Sequence, residues 1–367
     1  MWRWASHIAA QWRQPKTFEP ARPEPMSVPV PTSGDFTDGL LFIDESSLQP
    51  TFPIDVVYTW VDSADTALRE QLNRHRPDGA KEAIAGPVRW ACHEELRFSL
   101  RSLELYAPWV NTIHIVTNGQ KPAWLAAHPK VRLVAHSDIL KPEYLPTFNS
   151  HVIESALHRI PGLSEHYLYL NDDTMLLRPL KPHHFFTANG LALAFLGTVD
   201  LPPGPAHEKE TATNWAAKNA RSLILSRWQS SIDWRLAHTC HPQRKSVAEE
   251  CEKTFSDEYH VFRQNRFRAK NDLLVSNYLI QNVGYLTGKI LFTRAPCWYV
   301  LIRNPRVEEL YQLILSERET PQARMTVCVN DEPMGKNQTA DAEVALRSFL
   351  ESYFPVKSRY EKRVRRT

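Results

Sequence analysis

Near its middle the chain reads Tyr167-Leu168-Tyr169-Leu170-Asn171-Asp172-Asp173, large apolar side chains that give way at once to an amide and two carboxylates. This pattern predicts a buried strand, and in an open α/β sheet ligands bind at the carboxyl ends of the strands. Two adjacent carboxylates there are costly unless a positive charge holds them, and a hard cation such as Mg²⁺ is a common partner. The plainer interpretation is that Asp172 opens a turn and Asp173 caps the next segment.

The composition of the chain is that of an ordinary globular protein. It has 367 residues and a net charge of +3, which is too small to indicate nucleic-acid binding. No apolar run reaches the roughly 20 residues that a membrane-spanning helix needs. The five cysteines are scattered, without a Cys-x-x-Cys pair, which favours reduced thiols in a cytosolic protein.

The first 50 residues are expected to lie outside the ordered domain. Pro20–Pro31 is rich in proline and lacks a periodic apolar pattern, which favours disorder. Met1–Trp12 carries three Trp residues and Arg3, and Arg13 follows directly; the segment is interpreted either as a short amphipathic segment on a membrane surface or as an unstructured tail. It lacks the apolar core and cleavage site of a signal peptide. The predicted organisation is this segment, an ordered domain over residues 51–356 and a basic tail over residues 357–367.

Strands and helices are predicted to alternate from residue 54 onward. Runs of β-branched and aromatic residues predict strands, and apolar residues at helical spacing predict helices. The predicted strands are Ile54–Val61, Thr112–Thr117, Val131–Val134 and Tyr167–Leu170, and the predicted helices are Glu94–Tyr106 and Ser150–His158. Polar residues follow each strand, among them His136, Ser137 and Asp138 after the third. This order predicts an α/β fold with a mostly parallel, Rossmann-like sheet flanked by helices, and a site along one edge of the sheet.

The second half of the chain is less regular. Helices are predicted at Lys245–Phe262, Val307–Leu315 and Asp341–Phe354 from their apolar periodicity. The tail after Lys357 is basic. A solvated chain end is the simpler interpretation of this tail, and attraction to anionic lipid is the alternative.

Four blocks of the sequence, taken together and in order, resemble the Stealth family of sugar-phosphate transferases. That family includes bacterial capsule polymerases and the catalytic subunit of the animal N-acetylglucosamine-1-phosphotransferase. The match covers most of residues 54 to 355. The first block is Ile54–Asp62; the second contains Glu95–Glu104, Ala107–Val110, Ile115–Gln120, Leu145–Ser150, His158–Ser164 and Asn171–Asp173; the third is His238–Asp272, with Arg244–Val247 and Arg266–Arg268 inside; the fourth is Cys328–Asp331.

The chain departs from the family pattern in two places. Ser63 stands where the family usually has Gly, and Val88–His93 replaces a basic-aromatic-acidic run. Between the third and fourth blocks the chain is compact, which suggests a minimal catalytic unit of bacterial type.

The resemblance implies a fold like the glycosyltransferase A-type fold and transfer of a sugar-1-phosphate, most often N-acetylhexosamine-1-phosphate, from a UDP-sugar to a glycan hydroxyl. The products would be UMP and a phosphodiester-linked capsular polysaccharide or exopolysaccharide. Such a reaction needs a metal on the phosphates, cationic support for the transition state and a base for the acceptor hydroxyl. The expected partners are a nucleotide sugar and an oligosaccharide or polysaccharide acceptor, with no nucleic acid.

The sequence offers a candidate for each requirement. Asp172, Asp173 and Asp331, which follows the apolar run Val327-Cys328-Val329, are suited to Mg²⁺ or Mn²⁺; the alternative for Asp331 is a turn residue. Arg268, and after it Arg266, would fork onto phosphate oxygens or else form surface salt bridges. His238, with His241 as a second option, is the candidate general base or else a histidine in a polar loop.

The remaining candidates are substrate contacts. The resemblance suggests nucleotide contacts at Asp62, Asn118 and Gly119, although Gly119 would also serve a left-handed turn. Arg97 and Arg101 lie four apart on one helix face, and we expect Arg97 to reach the pyrophosphate unless both are surface charges. The candidate acceptor-sugar contacts are Asn149, Ser150 and Glu154, the last of which is alternatively an exposed helix residue.

Two other functional classes remain open from the sequence. A metal-dependent glycosyltransferase would also place carboxylates at strand ends but would release a nucleoside diphosphate. A catalytically silent glycan- or protein-binding module would have no reason to combine the three acidic metal candidates with Arg268 and His238. The expected location is the bacterial cytoplasm, with peripheral contact at the inner face of the plasma membrane as the open alternative.

Overall fold

A computed structural model describes residues 49–76, 93–332 and 341–362 of the chain. The segments 1–48, 77–92, 333–340 and 363–367 lie outside the described residues, and with them the predictions for Met1–Trp12, Pro20–Pro31 and most of Val88–His93. The described residues belong to one compact unit. The proposed boundaries at residues 50 and 356 stay predictions.

The central sheet has five strands, and four of them are parallel. In spatial order they are β3 (Val131–Ala135), β2 (Ile113–Thr117), β1 (Ile54–Thr59), β4 (His166–Asn171) and β8 (His241–Arg244). Only β8, at one edge, runs antiparallel to its neighbour. Strands β1 and β2 are almost wholly buried, as expected of parallel strands that are covered on both faces. The prediction of an α/β fold with a mostly parallel sheet is confirmed.

Two smaller sheets extend the fold. One has the order β10 (Cys297–Leu301), β11 (Thr326–Asn330) and β5 (Thr174–Leu176), and the other has the order β7 (Trp234–Leu236), β6 (Ala192–Asp200) and β9 (Ile290–Thr293). Since β5 directly follows β4, the first small sheet begins beside the carboxylates that end β4. Val329 on β11 donates its N–H to the carbonyl of Asp173 at 3.0 Å.

Ten α-helices pack around these sheets in the described segments. They are α1 (Thr66–His75), α2 (Glu95–Tyr106), α3 (His136–Ile139), α4 (Ser150–Glu154), α5 (Ala212–Trp228), α6 (Lys245–Thr254), α7 (Ser256–Arg263), α8 (Ile280–Leu286), α9 (Val307–Glu317) and α10 (Ala342–Tyr353). Short 3₁₀ turns occur at Pro142–Tyr144, Leu157–Arg159 and Pro182–His184, and a π-helical turn occupies Val275–Leu279. No helix of the described segments is long and apolar enough to cross a membrane.

Two predicted helices are shorter than expected. Ser150–His158 ends as an α-helix at Glu154 because Arg263 donates to both the hydroxyl and the carbonyl of Ser155, at 2.8 and 2.7 Å. The predicted helix Lys245–Phe262 is broken at Phe255, whose buried ring packs edge-on against Trp228. Both breaks come from tertiary contacts that override local propensity.

A buried ion-pair cluster joins α2 to the end of the described chain. Glu361 accepts hydrogen bonds from Arg101 at 2.7 and 2.8 Å and from Arg97 at 2.5 Å. Burial alone would raise the pKa of Glu361, but the two guanidinium groups lower it to about 2. Ser358, Tyr360 and Glu361 are buried, so the expectation of a solvated end does not describe these residues.

Candidate active site

A cavity of about 460 Å³ lies at the carboxyl ends of the parallel strands. Because parallel strands end at the same edge of a sheet, residues distant in the sequence meet there. Its lining includes Trp60 and Val61 after β1, Asn118 after β2, His136 and Ser137 after β3, and Asn171, Asp172 and Asp173 at the end of β4. The lining also includes Thr147, Phe148, Ser150, Glu154 and Arg268, none of which lies on a strand of the sheet.

Among residues 49–76, 93–332 and 341–362, no positive counter-charge is paired with either of the two carboxylates that end β4. Burial raises the pKa of Asp172 well above its ordinary value, and nearby Glu95 and Asp173 raise it further. Burial likewise raises the pKa of Asp173 to about 7. In the described part of the chain neither carboxylate has an ion-pair partner, and Asp173 accepts only weak hydrogen bonds from Cys328 and Thr174, both at 3.4 Å. A bound cation would therefore stabilise the ionised pair.

Asp331, at the end of β11, is already neutralised. Its Oδ1 accepts from Arg303 Nε at 2.5 Å, and its Oδ2 accepts from Arg303 Nη2 at 2.9 Å and lies 3.1 Å from His93 Nε2. Burial opposes ionisation, but these partners lower the pKa of Asp331 below its ordinary value. Asp331 does not line the cavity.

The donor set fits a divalent ion only in part. Asp172 and Asp173 are hard oxygen ligands without a counter-charge, which suits Mg²⁺ or Mn²⁺. Among the described residues no three His, Cys, Asp or Glu side chains are grouped as a metal site, and Asp331 is engaged by Arg303. The metal and the three-carboxylate set both stay predictions, with the pair at the end of β4 as the better-supported part.

Arg268 and Glu154 both line the cavity, and they lie close enough for the charge of Arg268 to act on the Glu154 carboxyl. Arg268 donates to Ser150 Oγ at 2.8 Å and makes a long contact with Thr213 Oγ1 at 3.5 Å. Glu154 is 7% exposed, and its Oε2 has no hydrogen-bond partner among the described residues. Burial raises the pKa of Glu154 to about 7, although the charge of Arg268 and the hydroxyls of Ser150 and Tyr169 oppose the increase.

Asn149 fixes the loop that carries Arg268. Asn149 caps α4 by accepting from the His151 N–H at 3.1 Å, and its Nδ2 donates to Asp272 at 2.9 Å and to the Phe267 carbonyl at 3.2 Å. Arg266 is exposed and lies outside the cavity lining. Asn149 thus supports the loop that carries Arg268 and does not line the cavity itself.

Both candidate histidines lie outside the cavity lining. His238 is exposed, and the centroid of its ring lies 4.4 Å from that of Tyr299. Partial desolvation of the imidazole by neighbouring protein atoms lowers its pKa. His241 is buried on β8, which lowers its pKa to about 3. A base role for either histidine stays a prediction that the cavity itself does not support.

The predicted nucleotide contacts are divided by the structure. Asn118 lines the cavity. Asp62 exchanges backbone hydrogen bonds with the Gln120 side chain at 2.8 and 3.0 Å, next to Gly119, whose φ of +99° suits glycine. Arg97 pairs with Glu361 and does not line the cavity. Asp62 and Gly119 therefore shape the loops, while Asn118 faces the cavity.

Several lining residues were not among the predicted contacts. They are Trp60, Gln71, His136, Ser137, Thr147, Phe148 and Tyr169. Trp60, His136 and Ser137 carry a usable signal, because they directly follow β1 and β3. Gln71 on α1 has no signal in the sequence, since only the packing of α1 beside the sheet brings it to the site.

The conserved regions of one protein family match the chain over more than half of its length. Stealth protein conserved regions 1, 2, 3 and 4 match residues 52–78, 89–194, 237–282 and 318–367. Their order along the chain is the order of the four blocks found in the sequence.

Similar proteins include bacterial polysaccharide enzymes. A capsular polysaccharide phosphotransferase of Neisseria meningitidis serogroup B is 36% identical over 366 residues, which are 96% of each protein. An exopolysaccharide phosphotransferase of Streptomyces coelicolor is 40% identical over 320 residues, which are 86% of this chain and 53% of that protein. The chain thus spans about half the length of the Streptomyces relative.

Among solved structures, galactosyltransferase LgtC in complex with donor and acceptor sugar analogues is 12% identical to this chain, with a TM-score of 0.39. The match covers 83% of this chain and 96% of the LgtC chain. An active-site mutant of LgtC is 11% identical with a TM-score of 0.41, and covers 83% of this chain and 98% of that chain. Likenesses of this size carry no argument about function.

Proposed function

The chain belongs to the Stealth family, and from this premise we propose that it transfers a sugar-1-phosphate from a UDP-sugar to a glycan hydroxyl. N-acetylhexosamine-1-phosphate is the proposed group, and UMP is the proposed leaving product. The names of the relatives from Neisseria and Streptomyces support a phosphotransferase that acts in capsular or exopolysaccharide synthesis. Those names do not give the donor or the bond that breaks, and both are part of what we propose.

The observation that carries the proposal is one cavity lined both by an uncompensated carboxylate pair and by a guanidinium group. Phosphoryl transfer is catalysed mainly by positioning and by neutralising charge on phosphate oxygens. Asp172 and Asp173 would hold Mg²⁺ or Mn²⁺, which when bound supplies positive charge at the pyrophosphate. A cavity with both kinds of group suits an anionic donor better than a neutral sugar.

Arg268 is the residue proposed to contact the transferring phosphate. Its planar guanidinium presents paired donors that match two phosphate oxygens. It donates to Ser150 and Thr213 hydroxyls, which are neutral and weaker partners than a phosphate would be. Replacing these bonds with bonds to phosphate would keep Arg268 satisfied and give it a charged partner.

We place the reaction in the cytoplasm, where nucleotide sugars are available. The described cysteines Cys240, Cys251, Cys297 and Cys328 are free thiols, which suits a reducing compartment. Peripheral contact with the inner face of the plasma membrane is a further proposal, to be tested by vesicle binding.

The test uses purified protein, a panel of UDP-sugars, a short oligosaccharide acceptor and Mg²⁺, with the released nucleotide separated by ion exchange. The proposal expects UMP from at least one donor, and loss of this release with EDTA and in Asp173→Asn. Asp200→Asn makes the same chemical change at an exposed strand end and should behave as wild type. Release of UDP instead, or UMP release that is unaffected by EDTA, contradicts the proposal.

A further inference from the structure

The proposed reaction leaves one role without a residue in the cavity. An acceptor hydroxyl must lose its proton as it attacks phosphorus, and a general base placed within hydrogen-bond reach does this. Both histidines that the sequence offers for this role lie outside the lining. The base must therefore be sought among the polar side chains that do face the cavity.

Glu154 is the side chain that the geometry singles out. It lies on the last turn of α4, lines the cavity beside Ser150 and Arg268, and is 7% exposed. Its Oε2 is buried and has no hydrogen-bond partner among the described residues. A buried, unpartnered carboxylate oxygen is costly, and costs of this kind concentrate where a ligand supplies the missing partner. A hydroxyl group is such a partner, because it donates one hydrogen bond.

We propose that Glu154 is the general base of the transfer, and this inference rests on the function proposed above. The acceptor oxygen forms a bond to the phosphorus attached to the donor sugar, while the bond from that phosphorus to the bridging pyrophosphate oxygen breaks. The electron pair of the broken bond leaves with the bridging oxygen on UMP. The hydroxyl proton passes to the Glu154 carboxylate, which later returns it to solvent.

The surroundings of Glu154 suit this role. Burial raises its pKa to about 7, while Arg268 limits the increase, and a base is most effective when its pKa lies near the working pH. Contact of Arg268 with a phosphate would weaken that restraint and make the carboxylate more basic. The titratable and charged groups around Glu154 include Arg268, Tyr169, Asp172, Asp173 and His136, which line the same cavity. They also include His151 on α4, which is paired with Asp272, and Tyr278 in the π-helical turn that packs against α4.

The competing interpretation is that Glu154 only binds a sugar hydroxyl. A binding role would raise the KM of the acceptor or donor and leave the shape of the pH profile unchanged. A base role would lower kcat and remove the limb along which activity rises with pH. The two interpretations therefore differ in a readout that a purely structural role would not change.

The experiment compares wild type, Glu154→Gln, Glu154→Asp and His238→Ala by UMP release at saturating Mg²⁺ from pH 5 to 9. Glu258→Gln, an exposed residue on α7, is the matched control. We expect Glu154→Gln to lose about 10²- to 10⁴-fold in kcat with donor affinity, measured by calorimetry, within about threefold of wild type. Glu154→Asp should recover part of the rate, and His238→Ala should keep the rising limb.

Three results would overturn the inference. A Glu154→Gln variant that keeps both its kcat and its rising limb shows that the base lies elsewhere, as does loss of the limb in His238→Ala. Equal loss of activity in Glu154→Gln and Glu154→Asp, with melting temperatures well below wild type, shows a structural role. If wild type releases no UMP from any donor, the proposed function fails first, and this outcome is distinct from the other three.

Discussion

Replacement of Glu154 by Gln should stabilise the free protein at alkaline pH while it impairs activity. The folded chain raises the pKa of Glu154 from its ordinary 4.5 to about 7. A difference of about 2.5 in pKa, at about 1.4 kcal/mol for each, corresponds to about 3.4 kcal/mol of folding free energy. The side chain is almost fully buried, so little of this energy is screened by solvent.

The sign follows from proton binding. Between pH 4.5 and 7 the folded chain keeps the Glu154 proton while the unfolded chain has lost it, so stability falls as pH rises. The contribution is fully retained below about pH 4.5 and is lost above about pH 7. About 2.5 kcal/mol of the loss falls between pH 5 and pH 8. Glutamine carries no ionisable proton and avoids this loss.

Urea unfolding of wild type and Glu154→Gln at pH 5 and pH 8, without nucleotide and with EDTA, measures the difference. The variant should gain about 2.5 kcal/mol relative to wild type on going from pH 5 to pH 8. Glu258→Gln, which is exposed, should show no such change. A difference between variant and wild type that is the same at both pH values would refute the reasoning, because it would mean that Glu154 titrates as an ordinary carboxyl.

Three further substitutions test the carboxylate pair, the phosphate contact and the buried ion-pair cluster. Asp173→Asn should lower kcat at least ~10²-fold, the scale of losing one electrostatic stabiliser, as measured by UMP release beside calorimetric donor binding. Arg268→Lys keeps the charge but loses the planar fork, and steady-state kinetics should show a higher donor KM together with a lower kcat. Glu361→Gln leaves buried Arg101 without its counter-charge and should lower the free energy of unfolding, measured with urea, by about 3 kcal/mol. As a control, Glu351→Gln breaks an exposed pair with Arg347 and should lower it by under about 1 kcal/mol. Equal losses in the two variants would contradict the account.

Local patterns explain what the sequence predicted well. The run Tyr167–Leu170 gave β4, and the carboxylates after it line the cavity. Predicted helices Glu94–Tyr106 and Val307–Leu315 agree closely with α2 and α9. In each case the signal lies within about a dozen neighbouring residues, where apolar periodicity decides the structure.

Contacts between distant residues explain what the sequence did not predict. Asp331 contacts His93, 238 positions away, and Arg97 is paired with Glu361, 264 positions away. Neither pairing can be recognised from the residues next to it in the sequence. His238 was the candidate base and Glu154 a candidate acceptor-sugar contact; the folded chain places Glu154, and not His238, in the cavity lining.

The short strands were also hidden from the sequence. Strands β5 and β7 have three residues each, too few for an alternating pattern to be recognised. The apolar stretch Gly190–Val199 supplies most of β6, but its pattern does not alternate as that of a half-buried strand does. These strands form the smaller sheets, so the prediction of one parallel sheet described the centre of the fold and missed its extensions.

The central claim is that the phosphate attached to the donor sugar moves with that sugar. A UDP-sugar labelled with ³²P in that phosphate, incubated with the protein, Mg²⁺ and an oligosaccharide acceptor, tests it in one step. The account predicts that the label enters the glycan product and that the released UMP is unlabelled. Label that remains on released UDP, with a phosphate-free glycosidic product, would contradict the account and identify a glycosyltransferase.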